Sequence, residues 1–392
     1  MAGSQVIVRS GGVQVQAPPR LDASPALTPF LKWPGGKTQE LAAIAAAAPP
    51  LTGRFIDPFV GGGSVLLATP AEVPALANDA CRDLVELYVS AANRDLEFRH
   101  AVAGMARSWD GLADVGSLYT ELAAAFTAAS PAGAVTAIDA HVHALDGLLD
   151  EAGPGLAEPF GGRVRRDVVT KLGRMRRLEI RHDQRLNPAD LVANVEGAVR
   201  SSFYMSVRAR YNAARLADRW DALRAADFLF LREFTYAAMF RFNARDEFNV
   251  PYGGISYNRK SLAAKAQLLF GAPMLARLAN TRFERRDFEP FLADADLTRD
   301  DFVFVDPPYD SDFSAYDNRP FDGQDQARLR DVLAECPGQV MIVIKDAPAI
   351  RALYRPDSWN LIEAPKTYMW TIKSRNDRIA THLTITNYEV AS

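Results

Sequence analysis

Asp306-Pro307-Pro308-Tyr309 directly follows the all-apolar run Phe302-Val303-Phe304-Val305. That order places an acid, two rigid prolines and an aromatic ring at the carboxyl end of a buried strand, the edge where open α/β sheets bind ligands. An exocyclic amine on a planar base such as adenine is a poor nucleophile, because its lone pair is delocalised into the ring. The Asp306 carboxylate and the Pro307 carbonyl both accept hydrogen bonds. Pro308 helps to hold that carbonyl rigid, and together the two acceptors pull the nitrogen toward a localised lone pair while Tyr309 stacks on the ring. No general base with a shifted pKa is required before attack. The same four residues also suit a plain strand-ending turn.

A second cluster runs Phe55-Ile56-Asp57-Pro58-Phe59-Val60-Gly61-Gly62-Gly63-Ser64, an apolar strand entering a glycine-rich turn that opens a helix. Glycines there let the backbone approach a ligand, and the helix N-terminus favours a negative group. Asp79, one strand further on, is placed to accept from ribose hydroxyls. A tight strand-to-helix turn would use the same glycines. The third cluster is Lys32-Trp33-Pro34-Gly35-Gly36-Lys37-Thr38. Its Gly-Lys-Thr ending is not a phosphate loop, since that loop needs glycine where this chain has Leu31 and a strand just before it. A cofactor lid fits better, with Trp33 offering an aromatic face and Lys37 a cation for the carboxylate of an amino-acid-like ligand. A core tryptophan and a solvated lysine are the plain alternative.

These clusters need an α/β frame to position them. Short apolar runs at Val73 to Ala77, Asp301 to Val305, Gln339 to Ile344 and Ile379 to Tyr388 predict strands, as does the alternation from Arg282 to Phe288; amphipathic helices such as Gln324 to Glu335 lie between. Residues 1–25 read as a mobile tail. Residues 26–94 and 270–392 form the expected α/β domain, and 95–269 an inserted, mainly helical lobe. Probable loops fall at Gly153-Pro154-Gly155 and at Gly161-Gly162. Charge separates within that lobe: ten acids face two bases over 95–160, whereas fifteen bases face seven acids over 161–224. The basic run Arg163 to Arg185 either lies along phosphates or pairs with the acidic half.

Composition narrows the class. The chain has 392 residues, 48% hydrophobic and 24% charged, with a net charge of −3, so any nucleic-acid face is local. Two cysteines are too few for a disulfide framework or a thiolate zinc site, and a reducing cytoplasm fits best. His141 and His143 lack companions at ligand spacing, so no metal site is expected. The sequence carries no apolar run of about 18 residues and no signal-peptide pattern, so neither membrane insertion nor secretion is expected.

The three clusters in this order, with Asn78-Asp79 and the stretch Arg241 to Gly253 between them, resemble the D12-class, Dam-like DNA adenine-N6 methyltransferases over roughly 29–93 and 200–388. The resemblance implies a Rossmann-like sheet that binds S-adenosyl-L-methionine, with an inserted target-recognition lobe before Asp-Pro-Pro-Tyr. It assigns Trp33, Lys37, Phe59, Gly61, Gly63, Asp79, Asp287 and Asp306 to the cofactor site, with Asp306 also touching the target base. Phe203 to Asn212 is similar to the family's Tyr-x-x-x-Arg helix, and Arg241 to Gly253 to its DNA-reading β-hairpin. In that hairpin Asn243, Arg245 and Asn249 are expected to contact DNA, with Asn243 and Arg245 reaching base edges, and Tyr252 to wedge beside an adenine flipped out of double-stranded DNA. The chain departs from the family at Arg232, Glu233 and Tyr236, where asparagine and cysteine are usual. The implied reaction is direct methyl displacement onto adenine N6, in the cytoplasm, with a cognate restriction endonuclease admitted as a partner. Methylation of cytosine N4 or RNA adenine, and a non-catalytic DNA-binding subunit of the same fold, are the competing expectations.

Overall fold

The computed structural model describes residues 17–154, 160–308, 321–367 and 379–390. Tyr309 lies outside them, as does most of the expected tail. Seven strands form one sheet: β1 (Phe55–Asp57), β2 (Ala75–Asn78), β3 (Thr281–Glu284), β4 (Phe302–Val305), β5 (Gln339–Lys345), β6 (Asn360–Thr367) and β7 (Ile379–Thr386), in the spatial order β3-β2-β1-β4-β5-β7-β6. The first five are parallel, and β7 pairs antiparallel with both β5 and β6. β4 and most of β5 are buried, which accounts for their near-continuous apolar sequences. The order reverses at β1, whose neighbours are β2 on one side and β4 on the other. This is the switch point at which α/β sheets open a crevice, and the fold is the expected Rossmann-like one.

Helices α1 (Leu41–Ala47), α2 (Ser64–Ala68) and α3 (Arg82–Ala92) belong to the first half of this frame. Between α3 and β3 the chain builds α4 (Leu96–Gly111), α5 (Leu118–Thr127), α6 (Pro131–Ala140), α7 (Val142–Glu151), α8 (Phe160–His182), α9 (Pro188–Leu216), α10 (Ala222–Phe234), α11 (Leu262–Leu269) and α12 (Ala272–Ala279). Then α13 (Phe288–Ala293) precedes β4, and α14 (Gly323–Ala334) and α15 (Pro348–Leu353) flank β5. Local caps mark several starts. Asp95 accepts from the Glu97 and Phe98 amides, Ser130 from Gly133, and Asn187 from Asp190, with proline in the first turn after the last two.

A buried polar network joins the helical lobe to the sheet. Tyr211 on α9 donates to Asp83 on α3 at 2.6 Å, and Arg224 on α10 pairs with the same carboxylate at 2.5 Å. Beside it, Arg210 and Asp227 form a fully buried two-point pair at 2.6 and 2.9 Å. Such pairs help specify an arrangement more than they stabilise it.

Two expectations fail here. Residues 19–22 do not hang free: Leu51 donates to the Pro19 carbonyl at 2.8 Å, Asp22 donates to that of Ala68 at 2.9 Å, and Leu21 is buried. Gly161 and Gly162 are not a loop but lie in α8. The reason is packing, because a Cβ on Gly161 would overlap the Val142 side chain of α7. One strand, β6, went unread from sequence. It is an edge strand carrying Glu363, Pro365 and Lys366, residues an edge tolerates and an apolar-run criterion misses.

Gly161 supplies a test of that packing. In an open helix, Gly→Ala stabilises by up to about 1 kcal/mol; here overlap with Val142 reverses the sign. Gly161→Ala is expected to lower the unfolding midpoint, and adding Val142→Ala to recover most of the loss. Stabilisation by the single variant in denaturant titrations would show that the two helices are not so closely packed.

Candidate active site

Register brings the three clusters to one place. Phe55 pairs with Phe302 and Ile56 with Val303, so Asp57 and Asp306 leave adjacent strands on the same edge. Lys37, only 2% exposed, donates to the Gly35 carbonyl at 3.2 Å and forms an ion pair with Asp306. The lysine expected to meet a ligand carboxylate thus meets a carboxylate of the chain itself.

The glycine turn is shaped by what surrounds it. Gly61 and Gly63 have φ of +48° and +73°, which disfavours side chains, and an added Cβ would lie 2.8 Å from Trp33 Cδ1 at Gly61 and 2.7 Å from the Tyr88 hydroxyl at Gly63. Tyr88, buried on α3, donates to the Gly61 carbonyl at 3.0 Å and stacks on Phe283 of β3 with centroids 4.7 Å apart. Asp79 accepts from the Gly61 amide at 3.1 Å and from Cys81 at 2.9 Å. A carboxylate at this strand end is the acceptor type that a pair of ribose hydroxyls takes. Asn78 bridges the neighbouring loops, donating to the carbonyls of Pro58 at 3.0 Å and Arg286 at 3.1 Å.

Asp287 caps α13 by accepting from Glu289 and pairs with Arg328 at 2.7 Å. Next to it, Phe59, Phe288 and Phe321 form an aromatic group with centroids 5.5 to 5.7 Å apart. Aromatic rings beside acids at the ends of β2 and β3 are the groups that take a nucleoside's base and ribose. The residues present therefore fit an adenosine-bearing methyl donor.

Asp57 is 2% exposed and accepts from the Phe59 amide at 3.1 Å. Burial pushes its carboxyl well above the usual aspartate range against the opposing Phe59 amide hydrogen bond, the nearby Asp306 and Asp79 carboxylates push it up further, and Lys37 opposes them more weakly. Sequence gave no role to this residue beyond its place in the turn.

Trp33 joins the pocket to the helical lobe. Its ring packs on Phe240 at 5.7 Å, and the Arg232 guanidinium lies 5.1 Å from Trp33 and 4.8 Å from Phe240. Arg232 is fully buried and donates to the carbonyls of Lys32 at 3.1 Å, Ala238 at 3.1 Å and Met239 at 3.2 Å. The departure at Arg232 thus clamps the lid segment to the chain that enters the hairpin. Glu233 is buried too, against Lys32 at 3.0 Å and Lys260 at 3.6 Å. Burial, and then Lys32 beside it, bring the Lys260 ammonium down to about 8.

The expected hairpin exists, with Phe242 bridged to Phe248 and Thr235 to Tyr252. Helix α9 holds it through one face: Tyr204 donates to the Val250 carbonyl at 2.9 Å, Arg208 to the same oxygen at 3.1 Å, and Asn212 exchanges two hydrogen bonds with Phe248 at 2.8 and 3.0 Å. Asn243 is engaged within the turn, accepting from the Arg245 and Glu247 amides and donating to the Glu247 carboxylate at 2.9 Å. Arg245 is exposed at the tip, and Asn249 accepts from Arg241 at 3.3 Å. Tyr252, expected to wedge beside a flipped base, is buried. Its hydroxyl donates to Asn258 at 2.9 Å and its ring fills the space between Trp109 and Tyr204.

Comparison with known proteins agrees with this geometry. The chain is 22% identical over 370 residues to the type II methyltransferase M1.LlaDCHI of Lactococcus lactis subsp. cremoris, covering 92% of this chain and 96% of that one. It is 26% identical over 311 residues to the type II methyltransferase M.MjaIII of Methanocaldococcus jannaschii, covering 77% of each. It is also 29% identical over 230 residues to the retron Ec67 DNA adenine methylase of Escherichia coli, covering 55% of this chain and 77% of that one. The pattern of the D12 class N6 adenine-specific DNA methyltransferases matches residues 33–118 and 175–368, and the chain belongs to that family.

Proposed function

We propose that this adenine methyltransferase works at the crevice between β1 and β4, with S-adenosyl-L-methionine as donor and an adenine flipped out of double-stranded DNA as acceptor. The observation that carries the reading is the convergence of Trp33, Lys37, Gly61, Asp79 and Asp306 on one sheet edge. The donor, when bound, supplies an electrophilic sulfonium methyl. Asp79 accepts from its ribose hydroxyls, Phe59 and the Gly61 to Gly63 turn border it, and Asp287 lies toward its adenine.

Asp306 and the Pro307 carbonyl take the two N–H bonds of the target amine and localise its lone pair. Lys37 fixes the orientation of the Asp306 carboxylate toward the amine. Gln326, buried on α14, donates to the Pro308 carbonyl at 3.4 Å and steadies the turn. Tyr309 stacks on the base in this reading. Residues 95–269 serve as the target-recognition lobe, with Arg245 and Asn249 at the base edges and Asn243 shaping the turn that presents them. The type II names of two relatives support pairing with a cognate restriction endonuclease, in the cytoplasm where host DNA is reached.

Methylome sequencing of a host expressing the chain is expected to show N6-methyladenine at one motif; N4-methylcytosine alone would overturn the assignment of the acceptor. Asp306→Ala is expected to cut turnover by at least about a hundredfold while duplex binding survives. Thermal unfolding measured alongside separates catalysis from the loss of the Lys37 partner. Turnover near the wild-type rate would refute the role given to Asp306.

Asp57 gives a pH test. An unfolded aspartate titrates near about 3.9, whereas in the folded protein burial raises it well above that. The folded chain therefore keeps a proton that the unfolded chain has lost, and this contribution to stability is present at low pH and falls as pH rises through the folded value. Asp57→Asn, neutral throughout, removes the dependence. Its melting temperature is expected to gain on wild type as pH rises from about 4 toward neutrality; a pH-independent difference would mean that Asp57 is charged in the fold.

A further inference from the structure

The segment 119–174, which the family pattern does not match, brings most of α8 with it. This helix buries Val164, Val168, Leu172 and Met175 against the lobe. On the opposite side Arg163, Arg166, Thr170, Arg174, Arg177 and Arg181 follow one another at steps of three and four, the spacing of a single helical face. Asp167 is the one acid among them. Off this face, Arg165 pairs with Asp139 and Arg176 with Glu179 at 3.0 Å. Arg174, Arg177 and Arg181 are exposed, and have no ion pair or hydrogen bond among the described residues. Of the two expectations for this basic run, pairing with the acidic half therefore does not account for its outer face.

The face also has a direction. Its first residue, Arg163, lines a groove of about 370 Å³ together with Arg208 of α9 and Asn243, Phe248 and Asn249 of the hairpin. From that groove the arginines run away along α8 for about 27 Å at 1.5 Å per residue, a length of about eight base pairs at 3.4 Å each.

We propose that the outer face of α8 is a phosphate rail, which carries the duplex on past the hairpin on one side of the recognition site. It rests on the hairpin reading above and adds to it an asymmetric footprint along a helix that begins outside the family pattern and ends within it. The occupant is the sugar-phosphate backbone, because the exposed guanidinium groups of Arg174, Arg177 and Arg181, at steps of three and four on one face, complement a row of phosphates and carry no base information.

The test uses the full-length protein and duplexes carrying its methylated motif. In Arg174→Gln/Arg177→Gln/Arg181→Gln, the slope of log Kd against log salt concentration is expected to become shallower by about two to three, one contact contributing about 0.9. Wild type is expected to lose affinity when about eight base pairs are trimmed from one flank only, and the variant to be indifferent to that trimming. Arg177→Glu alone is expected to weaken binding to the untrimmed duplex. Binding of labelled S-adenosyl-L-methionine and the melting temperature check that the variants are folded. An unchanged salt slope, or equal sensitivity to trimming of either flank, overturns the rail. Failure of wild type to methylate any duplex would instead sink the reading on which it rests.

Discussion

Because β1 pairs in parallel with β4, a strand that arrives only after the whole helical lobe, two carboxylates remote in sequence are forced to leave the sheet side by side. A crevice at that reversal is a geometric consequence of strand order. What this chain adds is its closure: Lys37 reaches across to Asp306 from the segment that also carries Trp33, and Trp33 in turn fills the space left by the missing side chain of Gly61. Without β1–β4 pairing, the Lys37–Asp306 pair would have no counterpart, and Asp57 would have no reason to be buried beside it.

Placing the buried Asp57 beside the half-buried Asp79 and Asp306 is electrostatically expensive unless some of the charge is removed or paired. The structure does both. Asp306 is paired with Lys37, Asp79 accepts two backbone amides, and the innermost acid, Asp57, is pushed toward its neutral form by burial and by its neighbours. An Asp57 pushed toward its neutral form adds less repulsion to the Asp306 carboxylate that Lys37 pairs with. The same economy of charge recurs at Arg232, a buried cation that spreads its hydrogen bonds over three carbonyls and lies against two aromatic rings. It holds the lid segment and the hairpin entry together, so that the pocket and the lobe share one fixed element.

The parts of this arrangement that were legible in sequence are those with local signals. Apolar runs ending in an acid marked β1, β2 and β4. Lys37, Asp79 and the glycine turn were found because they lie in short motifs. Asp57 sat within such a motif without its burial being evident, because burial depends on strands that meet only in three dimensions. Tyr252 was misplaced for a related reason. An aromatic residue beside a polar hairpin looks like a wedge for a flipped base until Trp109 and Tyr204, from distant helices, are seen to enclose it. Gly161 was read as a break, since glycine is a poor helix former, whereas the constraint came from Val142 on the facing helix.

The way α9 holds the hairpin separates support from contact. Tyr204, Arg208 and Asn212, one turn apart, spend their polar groups on the Val250 and Phe248 backbone, and Arg215 continues the row, pairing with Asp246 at 3.0 Å and covering Phe242 at 4.2 Å. Four side chains of one helix thus fix the loop's path, and Asn243 fixes its turn. The exposed Arg245 side chain at the tip takes no part in that support among the described residues, and α8, whose residues before 175 lie outside the family pattern, packs on α9 beside the groove. Because Arg232 and Phe240 tie Trp33 to the entry of the hairpin and not to its tip, a substitution at Arg245 leaves the contacts of Trp33 in place.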